Sequence, residues 1–181
     1  MSETILNILK KNHVVLEAGL TFQEMDEIET LYGIRFPGSL RTLLTVALPV
    51  SPGFYNWRNR AQKNIMFLQN IIREPKRYID EMPEEIYWCE DWGEEPWDRG
   101  TFQNEVRRRV RTAPQLIPVY SHRYIPMTAE KNPPVLSVHG GDVIYMGENL
   151  EEYFKVEFGE KSQNEIDLSQ INPVPFWSDL M

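Results

Sequence analysis

Two kinds of apolar periodicity divide this chain and hardly mix. Up to Thr112 the apolar residues recur mostly at helical spacing, whereas from Leu116 they gather in short runs rich in β-branched and aromatic residues, broken by Pro and Gly. A doubly wound parallel fold would alternate these patterns regularly. Their segregation predicts an α+β domain in which N-terminal helices cover one face of a mainly antiparallel sheet, with a late C-terminal helix. At 181 residues and 41% hydrophobic content the chain suits one core and is short for two, so residues 1–181 read as a single domain.

Helices are expected over residues 2–12, with Ser2 as N-cap, and from Thr21, where Thr21 and Glu24 form a capping-box pattern. Leu20 and Met25 are spaced for a hydrophobic staple, and Gly33 marks the stop. Pro37 suits the first position of a third helix, whose core positions are Leu40, Leu43, Leu44, Ala47 and Leu48 and which Pro49 and Pro52 end. Ile65, Leu68, Ile71 and Ile72 mark a fourth helix that Pro75 should interrupt. A fifth, with a basic face, is expected over residues 101–112.

Strands follow over residues 116–120, 135–138 and 142–146, and Gly140-Gly141 reads as the turn between the last two. Asn149 with Glu152 can cap a final helix whose apolar face is Leu150, Tyr153, Phe154 and Phe158, ended by Gly159. The segment 160–181 keeps Ile166, Leu168, Ile171, Phe176 and Trp177, enough apolar surface to pack on the domain.

A net charge of −8 argues against nucleic acid as a direct ligand, since phosphate binding draws on clustered Lys and Arg. Arg107, Arg108, Arg109 and Arg111 are dense, but helical spacing spreads them around the axis while Val106 and Val110 keep one face for the core. A solvated face paired with local acids accounts for them. Cys89 is the only cysteine, so no internal disulfide forms. The scattered His13, His122, His139 and Cys89 lack metal-ligand spacing, and no cofactor motif is present, so neither metal nor cofactor is expected. With no membrane-spanning run and no leader pattern, the chain reads as soluble and cytoplasmic.

Ser121, His122 and Arg123, with His139 and Asp142 downstream, include the residue types of a hydrolytic relay. On a continuous strand, however, Ser121 and His122 point to opposite faces, and no Gly-x-Ser-x-Gly elbow accompanies them. We therefore expect no enzyme and assign no catalytic residue. Tyr120, His122, Arg123, Tyr124 and His139 remain candidates to line a cleft.

The segment 84–98 is the expected recognition surface. It carries seven carboxylates, no Lys or Arg, and three of the five tryptophans. The candidate partner-binding residues are Glu84, Glu85, Trp88, Glu90, Asp91, Trp92, Glu94, Glu95 and Trp97, with aromatics to anchor and carboxylates to steer a basic partner. Equally, the tryptophans can plug the sheet while the acids face water.

Several of these pieces occur in a familiar order. Gly19-Leu20-Thr21-Phe22, the acidic helix ending in Leu31-Tyr32-Gly33-Ile34-Arg35-Phe36-Pro37, and the Leu-rich helix after it resemble the opening of the SUKH superfamily of Smi/Knr-type domains. Trp57-Arg58, Trp92-Gly93, Asn132-Pro133 and the three strand runs with their capped helix are similar to a bacterial, uncharacterised branch of it. The resemblance implies an α+β protein-binding fold without a recognised catalytic centre. Its members include proposed immunity proteins that neutralise toxins, often nucleases, and others that regulate endogenous partners. The acidic tryptophan-rich segment departs from the family pattern.

Overall fold

The structure, a computed structural model, describes residues 2–181, with side chains from Glu3 onward. Helix α1 spans Ser2–Lys11; the cap expected of Ser2 lies outside the described side chains. Strand β1 (Leu16–Ala18), helices α2 (Phe22–Tyr32) and α3 (Gly38–Val46), and strand β2 (Ala47–Pro49) follow. Thr21 Oγ1 accepts the Glu24 N–H at 3.1 Å while Glu24 Oε2 accepts the Thr21 N–H at 2.8 Å, the reciprocal box that the sequence predicts for α2. Gly33 closes that helix in the left-handed region, at φ 65°, where a side chain would be strained.

Two boundaries differ from expectation. Pro37 is the N-cap of α3 rather than its first residue, and the helix stops at Val46. Ala47 and Leu48 instead enter β2, paired antiparallel with Ala18 and Glu17 of β1. Both residues are buried, as helical spacing requires, but β1 supplies backbone partners that the apolar pattern does not reveal.

Helix α4 (Gln62–Glu81) runs through Pro75 instead of breaking there. Leu68, Ile72, Pro75 and Ile79 form one continuous buried face, so the proline ring belongs to the packing. One residue on from the Ile71 carbonyl that Pro75 leaves without its helical donor, Gln115 Nε2 donates to the Ile72 carbonyl at 2.5 Å. Burial of that face offsets the cost of the missing N–H.

Helix α5 (Arg99–Thr112) is capped by Asp98, whose carboxylate accepts the Thr101 N–H at 2.7 Å. Strands β3 (Leu116–Tyr120), β4 (Arg123–Pro126), β5 (Val135–His139) and β6 (Asp142–Gly147) form an antiparallel sheet in sequential order, followed by helix α6 (Leu150–Glu157). Asn149 Oδ1 caps α6 by accepting from the Glu151 and Glu152 N–H groups. The α+β class follows from the segregated periodicities, but β4 occupies what reads in sequence as a polar insert.

Both faces of this sheet are covered. Ile117, Val119, Ile125, Val135 and Met146 pack with α1, α2, α3 and α6, whereas Leu116, Tyr124, Leu136, Val138 and Val143 pack with α5, the end of α4 and the C-terminal residues. That explains why β3 and β5 read as nearly unbroken apolar runs rather than alternating ones. In the second cluster Trp177 is 0% exposed and donates its indole N–H to the Pro114 carbonyl at 2.9 Å. No helix among the described residues is long and apolar enough to cross a membrane.

Candidate functional site

The β5–β6 turn positions the site. His139 pairs with Asp142 across the two-residue Gly140-Gly141 turn, and Gly140 adopts φ 61°. A Cβ on Gly140 would stand 3.0 Å from the Tyr78 ring, and one on Gly141 2.9 Å from Ile86 Cδ1. Two glycines therefore let the turn settle on the end of α4 and the start of the acidic segment. His139 and Asp142 are thereby delivered to residues more than fifty positions earlier in the chain.

Between them lies a groove of about 800 Å³. Tyr78 contributes from α4; Glu85, Tyr87, Trp88, Glu90 and Asp91 from the acidic segment; His139 and Asp142 from the turn; and Asp179 from the C-terminal end. No Lys or Arg is among the lining residues. The Tyr78 hydroxyl donates to Glu85, which pushes the phenol pKa up. Asp179 accepts the Trp92 indole N–H at 2.7 Å.

The three tryptophans of the segment have different roles. Trp92 stacks on Phe176, with centroids 5.8 Å apart, and Arg109 lies 4.7 Å from its ring centre. Trp88 meets Trp92 edge to face at 5.3 Å, meets Phe102 at 5.5 Å, and donates to the Gly93 carbonyl at 2.8 Å. Both are half-buried, so they brace the segment and still show an edge to solvent. Trp97 is 99% exposed and Tyr87 92% exposed; neither plugs the sheet.

None of the seven carboxylates in residues 84–98 forms an ion pair among the described residues. Many acids elsewhere are matched locally, among them Glu24 with Arg58 at 2.8 Å, Glu29 with Arg41 at 2.7 Å, Glu148 with Lys161 at 2.6 Å, and Glu157 with Arg123 at 3.3 Å. The basic face of α5 is likewise taken up at home. Arg108 and Arg109 pair with Glu105, Arg111 pairs with Asp80, and Arg107 donates to the Asp80 carbonyl. Uncompensated negative charge is thus concentrated around the groove and the open stretch Glu94, Glu95 and Trp97.

The five cleft candidates do not share a cavity. Tyr124 is buried in the second core cluster, where burial raises its pKa to about 12. Tyr120 faces the opposite side, against Phe54 at 4.8 Å, because a register shift between Pro118 and Tyr120 pairs it with Arg123, the neighbour of Tyr124, and turns it away from the Pro118–Tyr124 face. Arg123 is tied to Glu157 and donates to Ser137 Oγ at 2.8 Å. His122 and His139 do meet, their rings 6.1 Å apart and edge to face. Burial, Arg123 and His139 hold His122 below its ordinary pKa, with Glu157 opposing them.

Ser121 and His122 form the tight turn between β3 and β4, with Ser121 at φ 48°. The turn removes the alternation that the sequence suggested, and Ser121 Oγ lies 3.2 Å from His122 Nδ1. His139 is the ring partner of that histidine, and no carboxylate hydrogen-bonds to it among the described residues. No group of three or more His, Cys, Asp and Glu placed to hold a metal occurs among the described residues.

The fold and site together define an α+β domain bearing an acidic, aromatic-walled groove. Comparisons with protein-family models, with curated proteins and with solved structures find no match for this chain.

Proposed function

We propose that this protein is a non-catalytic protein-binding domain, an immunity protein of the Smi/Knr type that binds and neutralises a cognate toxin with a basic surface, such as a nuclease. One observation carries the reading. Seven carboxylates without ion pairs among the described residues adjoin two aromatic side chains that are almost fully exposed, Tyr87 and Trp97. Unmatched acids steer a basic partner towards the surface, and exposed aromatics supply contact area on arrival. The family resemblance of the opening helices supports the immunity role, and a cytoplasmic site of action accords with it.

Co-expression tests the reading. The protein should protect cells that express the toxin encoded beside its own gene. A folded variant carrying Glu90→Lys, Asp91→Lys, Glu94→Lys and Glu95→Lys should lose protection and associate with the toxin at least about tenfold more slowly at low salt. Absence of any toxic neighbouring product, with capture only of housekeeping proteins, would replace immunity with a regulatory or scaffolding role. Unchanged association of the variant would move the interface elsewhere.

A further inference from the structure

The groove differs from the rest of the acidic surface in having walls. Tyr78, Tyr87 and Trp88 supply aromatic rings, while Glu90 and Asp91 approach from one loop and Asp142 from another. Glu85 and Asp179 are engaged by Tyr78 and Trp92, but Glu90, Asp91 and Asp142 have no ion-pair partner among the described residues. Like charges around one concavity repel each other, and a cation placed among them relieves that repulsion.

Its dimensions narrow the choice of cation. At about 800 Å³ the groove is far larger than a bare ion needs and falls in the range that holds a ligand of several residues' bulk. Aromatic faces beside several carboxylates suit a planar guanidinium, which stacks on rings and donates to more than one acceptor at once; a compact ammonium does this less well.

We propose that the groove receives an arginine-bearing segment of the partner protein. The guanidinium lies among the carboxylates of Glu90, Asp91 and Asp142, and its stem rests on the rings of Tyr87 and Trp88. His139, on the same wall, reports the arrival of that charge. The inference rests on the protein-binding reading and gives the site of entry.

A capped Gly-Arg-Gly-Arg-Gly peptide is the probe, with its lysine counterpart as the control of equal charge. Titration is followed by tryptophan fluorescence and by the His139 imidazole resonances, with His13, which lies outside the groove, as internal reference. Saturable changes at His139 without movement of His13 are expected, with the arginine peptide binding several-fold tighter than the lysine peptide. Asp142→Arg puts a cation into the groove from outside the acidic segment and should weaken the peptide at least about tenfold. Glu94→Lys with Glu95→Lys alters the segment outside the groove and should weaken it less than about threefold.

The opposite ranking of those variants, or equal affinity for the two peptides, would overturn the groove assignment while leaving a protein-binding surface in place. A groove that behaves as expected in a protein that gives no protection against toxin would instead remove the immunity reading alone.

Discussion

Trp92 lies nearly parallel to Phe176, with ring planes 9° apart, and its indole N–H reaches Asp179 Oδ2 at 2.7 Å. One side chain thereby fastens the acidic segment to the C-terminal residues and holds the groove's loop against the second core cluster.

Trp92→Ala should therefore lower stability by about 2 kcal/mol, less than the loss of a fully buried tryptophan because Trp92 is half-exposed. Limited proteolysis should show faster cleavage within residues 85–95 and 174–181 together. Trp92→Phe keeps the stacking and loses the hydrogen bond, so it should fall between the two. Faster cleavage of only one segment would show that Trp92 does not couple them.

Glu29 and Arg35 make an unequal pair. The Glu29 side chain is 1% exposed and accepts from the Phe36 N–H, Arg35 and Arg41, whereas Arg35 is 76% exposed. Glu29→Ala leaves buried donors unmatched and should cost about 3 kcal/mol in urea unfolding, while Arg35→Ala should cost under about 1 kcal/mol. Equal losses would mean that the exposed arm of the network matters as much as the buried one.

Acid should weaken the fold in a defined window. Hydrogen bonds from Arg58 and from the Thr21 N–H hold the Glu24 carboxyl at about 2, against an ordinary 4.5. A carboxyl depressed on folding stabilises fully above its unfolded value, and that contribution disappears as pH falls through the folded one. Burial opposes ionisation of Glu29, yet its bonds to Phe36, Arg35 and Arg41 outweigh burial and shift it the same way. Thermal midpoints should thus drop between pH 4.5 and about 2, and Glu24→Gln should flatten part of that drop. An unaltered slope in the Glu24→Gln protein would assign the acid sensitivity to other groups.

Trp97 and Trp88 should separate recognition from stability. With Trp97 99% exposed, Trp97→Ala should change stability by less than about 0.5 kcal/mol and, under the binding role proposed above, still weaken association with the partner. Trp88→Ala removes two ring contacts and a hydrogen bond and should cost about 1–2 kcal/mol in calorimetry. Unimpaired association of the Trp97→Ala protein would take that residue out of the interface.

Where local chemistry decides, the sequence was legible: the Thr21–Glu24 box, the Gly33 stop, the Asn149 cap and the Gly140-Gly141 turn all depend on neighbours within a few positions. What it hid depends on distant partners. Ala47 and Leu48 are equally apolar in a helix or in β2, and only β1 decides between them. Pro75 reads as a breaker until the packing of its face is seen. Of the groove, the acidic segment was visible, and so were His139 and Asp142 as separate polar residues. Tyr78 and Asp179 carried no signal, since only the seat of the turn on α4 and the return of the C-terminal residues bring them there.

The two faces of the sheet have different histories on the ribosome. Every residue of the first cluster, partly buried neighbours included, has been synthesised by Phe158. The second cannot close until Val174, Phe176 and Trp177 arrive, the last to meet the Pro114 carbonyl 63 residues behind it. During elongation the chain therefore passes through a stage with one side of the sheet sealed and the other side, with the acidic segment, still unsupported. The groove, walled in part by Asp179 and Leu180, can take shape only after those residues have been synthesised, well after the first face of the sheet is complete.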